Sequence, residues 1–248
     1  KNWLEERSAM SDINSNPIYI RFLEWLDENV AADAEGNRKV SVEQLRAFAD
    51  EFVYNPEDPS TVEVEGADVS LLWSFQIGGA STNNLSLELA ERSKGSGRVV
   101  RFIGNTDAGK FFSLLYDTEE VNALLSVVPT DPVPSPDGSA SIEDEAFSEF
   151  WRKLSRFYVD NTDGTLVTLT PRGGIGTVFA EDEIPRIVEN NEIDLINGVA
   201  RSDIGIEVFS RGSRAQLYYL LAVINGHFAG DLLRSGTARV VKTVGSGG

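Results

Sequence analysis

Apolar residues at helical spacing organise the start of the chain. Ile18, Phe22, Trp25, Leu26 and Val30 recur every three or four positions after Pro17, whose fixed φ suits the first turn of a helix. Val42, Leu45, Phe48 and Phe52 mark a second helix, and Ser41 followed by Gln44 is a capping-box signal for its start. Pro56 and Pro59 end this helical unit.

Beyond it the pattern alternates between the two periods. Thr61–Glu65 reads as a short strand, and Val69–Ile77 as a strand or a buried helical turn broken by Gly78-Gly79. Asn84–Ser93 is helical in its spacing, Arg98–Ile103 is a buried strand, and Asp107–Tyr116 with Asp117–Val127 suggests two more helices. Pro129–Gly138 is rich in proline and reads as a surface loop. Ile142–Tyr158 is a strongly amphipathic helix whose Phe147, Phe150, Trp151, Leu154 and Phe157 belong to a core. Strands are expected at Thr165–Thr170, Thr177–Ala180, Ile204–Ser210 and Ala238–Val244. Helices are expected at Asp182–Asn190, with Pro185 in its first turn, and at Ser213–Ile224. The two types are interspersed without clean β–α alternation. The expectation is an α+β fold: a helical unit over 1–56, a mixed domain over 57–244 and a flexible tail over 245–248.

Composition narrows the chemistry. The 39 acidic residues outnumber 22 basic ones, giving a net charge of −17, which argues against a nucleic-acid partner and for high solubility, divalent cations or a basic protein partner. Cysteine is absent, which removes zinc–thiolate sites, disulfides and thiol nucleophiles. No apolar run is long enough to span a membrane, and no signal-peptide pattern is present. Lys1 at the start and Gly245-Ser246-Gly247-Gly248 at the end lead to the expectation of an excised or processed region.

The loop between the first two helices carries the clearest motif. Counted from Asp33, oxygen-bearing residues fall at positions 1, 3, 5 and 9 as Asp33, Glu35, Asn37 and Ser41, with apolar Val40 at position 8. Over roughly 18–53 the chain resembles the EF-hand family, and the resemblance implies a helix–loop–helix and a weak Ca²⁺ site on those four residues. It departs at two positions. Arg38 occupies the turn-glycine position, where a left-handed backbone costs on the order of 1–2 kcal/mol. Gln44 replaces the bidentate glutamate.

Other motifs are thinner. Gly104-Asn105-Thr106-Asp107-Ala108-Gly109-Lys110 has the opening spacing of a phosphate-binding loop, but Phe111 stands where the magnesium-binding hydroxyl belongs. His227 is the single histidine and no nucleophile elbow accompanies it. Glu181-Asp182-Glu183 has the Glu-x-Glu spacing of ADP-ribosyltransferases without their other elements. Phe150-Trp151, Leu154-Ser155-Arg156, Asp163-Gly164-Thr165, Val178-Phe179, Glu183-Ile184-Pro185 and Ile196-Asn197-Gly198 together resemble stretches of large secreted bacterial exoproteins and toxins. The glycine-rich end is similar to the opening of an RTX repeat array.

The leading expectation is therefore an accessory or binding domain of a secreted, acidic, RTX-type bacterial protein that responds to calcium. One alternative is a toxin-like hydrolase or transferase working through His227, Asp231, Glu181 and Glu183 in the second half. The other is a cytoplasmic protein–protein interaction module.

Overall fold

The computed structural model describes residues 15–73, 76–77, 80–95, 97–117, 119–126, 142–169 and 178–204. Helices α1 (Pro17–Asn29), α2 (Val42–Phe52), α3 (Thr82–Lys94), α4 (Asp107–Asp117), α5 (Glu119–Asn122), α6 (Ile142–Asp160), α7 (Ile184–Glu189) and α8 (Arg201–Ile204) combine with a five-stranded mixed sheet, an α+β protein as expected. No helix among the described residues is long and apolar enough to cross a membrane. The chain forms two compact units, Lys1–Val62 with Thr106–Leu154, and Glu63–Asn105 with Ser155–Gly248.

The first unit is built on aromatic packing. Asn16 caps α1 by accepting the Tyr19 N–H, and Pro17 fills the first helical position. Ser41 and Gln44 form the expected capping box on α2. The apolar faces of these helices meet α4 at Phe22, Phe48 and Phe111, whose ring centroids lie 5.1–5.7 Å apart in edge-on and tilted contacts. Phe112 turns the other way, stacking on Tyr54 and on Phe150 of α6, while the Tyr54 hydroxyl donates to the Phe150 carbonyl at 2.9 Å. Two rungs tie α2 to α6, Arg46 with Glu149 and Lys153 with Asp50.

The second unit carries the sheet. Its strands are β1 (Val69–Trp73), β4 (Val100–Phe102), β5 (Gly164–Leu169), β6 (Ile193–Ile196) and β7 (Val199–Ala200), in the order β4-β1-β5-β6-β7; β2 (Gln76–Ile77) and β3 (Ala80–Ser81) form a separate antiparallel pair. The first four of the ordered strands run parallel and β7 alone is antiparallel. Leu71, Val100, Phe102 and Leu169 form a core cluster with Ala90 of α3. Asn105 satisfies the outer edge of β4, its side chain accepting from Phe102 N–H and donating to the Val100 carbonyl, both at 2.8 Å. An edge covered in this way is a poor template for another strand.

Three local expectations are corrected. Thr61–Glu65 is no strand: residues 59–62 make a short 3₁₀ turn, started by Pro59. Phe179 and Ala180, read as part of a strand, belong to a π-helical turn over Phe179–Glu183 that runs into α7. Two apolar residues in a row carried no period there, and the helix that follows claimed them. Ile204 ends α8 rather than beginning a strand. The β6–β7 hairpin was not anticipated. The proline-rich loop and the elements expected after residue 204 lie outside the described residues.

Candidate functional site

The acidic loop in the first unit is closed by its own groups. The Asp33 carboxylate accepts the amides of Glu35 at 3.0 Å and Asn37 at 2.8 Å, and Asp33 N–H donates to the Asn37 carbonyl at 2.8 Å. Gly36 takes the left-handed conformation with φ +86°, so the strain expected at Arg38 is absent; the turn is made two residues earlier, by a glycine. Arg38 instead folds back on α1, donating to the Val30 carbonyl at 2.9 Å and pairing with Asp27 at 3.3 Å. Ser41 and Gln44 are turned to each other's backbone as a cap. Asp33, Glu35 and Asn37 are exposed, whereas Val40 is buried and bridges to Leu125. Among the described residues no group of three or more acidic or histidine side chains is placed to hold a metal ion.

The phosphate-loop spacing is also turned inward. Thr106 is the N-cap of α4: its hydroxyl accepts Gly109 N–H at 3.0 Å and its carbonyl accepts Lys110 N–H. Lys110 lies 3.5 Å from Asp107. The cap and the pair occupy groups that a phosphate would need.

Among the described residues the most shifted carboxyl lies in the second unit, where two ion pairs join α6 to the π-turn and α7. Arg156 pairs with Asp182 at 3.6 Å and, one turn further along both helices, Asp160 pairs with Arg186 at 3.6 Å. Asn190 seals the far end by donating to the carbonyls of Val159 and Thr162 at 2.7 Å. Glu183 sits inside this seam at 3% exposure, and its Oε2 has no hydrogen-bond partner among the described residues. Burial pushes its carboxyl up to about 8; the Ser155 hydroxyl pulls it down and the Asp182 carboxylate adds to the rise. Glu181, two residues earlier, is exposed. The expected Glu-x-Glu pair is therefore split, one residue exposed and one buried. His227 and Asp231 lie outside the described residues.

A further polar constellation marks the sheet itself, and no site motif in the sequence covers it. Asn197 and Gly198 both have positive φ, +52° and +78°, and close the β6–β7 hairpin in the geometry that Asn-Gly favours. The Asn197 amide then reaches across to β5, accepting Thr168 N–H at 2.7 Å and donating to Thr168 Oγ1 at 2.9 Å, while its own N–H bonds the Leu166 carbonyl. Both residues are buried. The Asn-Gly dipeptide was the signal that would have found the hairpin.

Thr168 lies toward the carboxyl end of β5, paired with Leu72 of β1, and Asn197 holds it from the β6 side. The chain leaves β1 for β4 on one side of the sheet, and the neighbour on β1's other side is β5, which continues to β6. In parallel sheets such a reversal of strand order opens a crevice, because the connections leave neighbouring strands in opposite directions. No known protein family's profile matches the chain, and no curated protein or solved structure is significantly similar to it.

Proposed function

We propose that the sheet-bearing unit is the working part of the protein and takes a small polar ligand, as an enzyme does, at the carboxyl edge of β1 and β5. The observation that carries this reading is the strand order, with parallel β4, β1, β5 and β6 reversing direction of growth between β1 and β5. The buried Thr168–Asn197 pair fixes the neighbouring edge rigidly, which a binding site needs. A panel of nucleotides, sugar phosphates, sugars and amino acids, read by melting temperature and amide chemical shifts, tests it. At least one class raises the melting temperature and moves the signals of residues 71–73, 168–169 and 197–199. Shifts confined to α1 and α2, or no response to any class, would sink the reading.

A second reading is a calcium-responsive accessory domain of a secreted acidic protein. One observation favours it: the turn from Asp33 to Asn37 is already folded around a carboxylate, with Asp33, Glu35 and Asn37 open to solvent. Its test is a calcium titration at fixed ionic strength.

A further inference from the structure

The seam between α6 and the π-turn holds a carboxyl group that neither reading uses. Glu183 is flanked by Asp182, at 6% exposure, whose countercharge is Arg156; no ion pair is formed by Glu183 among the described residues. On its own turn the other charged group is exposed Glu181. From α6 the facing groups are the neutral Ser155, the Arg156 already paired, and Asp160 one turn on, itself paired with Arg186 of α7. An ionised Glu183 in this position would hold a charge with one oxygen unbonded, next to a second carboxylate. The turn that carries it is π-helical, with Ile184 N–H reaching the Phe179 carbonyl five residues back, so its hydrogen bonding differs from that of α7 beyond it.

We propose that Glu183 is a proton-operated latch: while its carboxyl is neutral the π-turn stays packed against α6, and on ionisation the cost of a buried charge beside Asp182 outweighs the Ser155 hydrogen bond, so that the turn leaves α6 and uncovers Phe179 and Ile184. The latch is independent of the ligand site. Its sign follows from burial. The closed state holds the proton up to about pH 8, whereas a solvated glutamate gives it up near 4.5. The closed state is therefore fully favoured below 4.5, loses its advantage as pH rises from there to about 8, and gains no further penalty above.

Amide hydrogen exchange on the full chain at pH 6 and pH 9, corrected for intrinsic rates, tests this. Protection of residues 184–190 is expected to fall by about tenfold or more relative to the strand amides of β1 and β5. Glu183→Gln keeps the shape and removes the titration, so its protection stays level across the same range. Asp160→Asn is the control and keeps the wild-type response. A wild-type ratio constant within about twofold overturns the latch even if no variant folds. So does a Glu183→Gln variant that still loses protection, or an Asp160→Asn variant that no longer does.

Discussion

At the scale of single residues, the second unit is organised by buried polar groups that each satisfy several partners. Tyr158 is wholly buried, and its hydroxyl accepts Leu71 N–H at 3.2 Å from β1 and donates to the Arg101 carbonyl at 2.9 Å on β4. Arg101 in turn lies over the Tyr158 ring at 4.9 Å and donates to Ser70, Thr162 and the Asn161 carbonyl. Burial raises the phenol to about 12 despite the guanidinium beside it, so the hydroxyl stays neutral and keeps its proton for the Arg101 carbonyl through the working pH range. Tyr158→Phe removes one atom and strands a donor on β1 and an acceptor on β4. The expected cost is about 1–3 kcal/mol, seen as a lower urea midpoint with an unchanged slope. A variant equal to wild type would mean that water or a strand shift replaces the hydroxyl. None of this was legible in the sequence: a tyrosine late in an amphipathic helix announces burial, not the strands its hydroxyl will bridge.

At the scale of elements, legibility followed the length of the pattern. α1, α2 and α6 were read close to their bounds because each repeats its apolar spacing over about three turns or more, and α2 also carries its cap in the sequence; α3 was read to within two residues from the shorter run of Leu85, Leu89 and Ala90. β4 and β5 were legible as short apolar or β-branched runs. β6 is only four residues, Ile193–Ile196, with two exposed positions between two buried ends, so no period exists for a pattern to show. Its true signal was the turn after it. Asn197 performs two tasks there, adopting positive φ and bonding Thr168, and they can be separated. Asn197→Gly keeps the backbone freedom and loses the side-chain bonds. Asn197→Ala loses both, adding about 1 kcal/mol of left-handed strain. Both variants should melt below wild type, alanine lower than glycine, in a thermal or urea series. Equal stability of the two would show that the cross-strand amide, not the turn, is what the residue contributes. The candidate site was the least legible part. Glu183 could be named as a carboxylate, but its burial depends on α6 being joined to the π-turn and α7 with Arg156 spent on Asp182, and the strand reversal at β1 and β5 depends on pairing across a long stretch of chain.

For the whole molecule, the net charge of −17 is both a repulsive load on the folded state and the reason calcium must be tested with care. Any salt screens like charges beyond about 10 Å at 0.1 M, so sodium chloride alone should raise the melting temperature. A divalent cation at equal ionic strength adds something only if it binds a site. Three observations weigh against tight binding at the loop: Arg38 is turned onto α1, Gln44 is turned onto the α2 cap, and Asp33 already accepts two amides. One favours weak binding, since three of the four expected oxygen-bearing side chains, those of Asp33, Glu35 and Asn37, face water around a turn that is already made. At ten times a millimolar dissociation constant, calcium would add about 1.4 kcal/mol, or roughly 3–6 °C for a chain of this size. The comparison is therefore calcium against magnesium and sodium at matched ionic strength, in wild type and in Asp33→Asn with Glu35→Gln. A calcium-specific increment that the double variant abolishes supports the accessory-domain reading. An increment common to all three salts assigns the effect to screening of the acidic surface and removes the calcium reading, leaving the ligand edge of β1 and β5 to be judged by its own titrations.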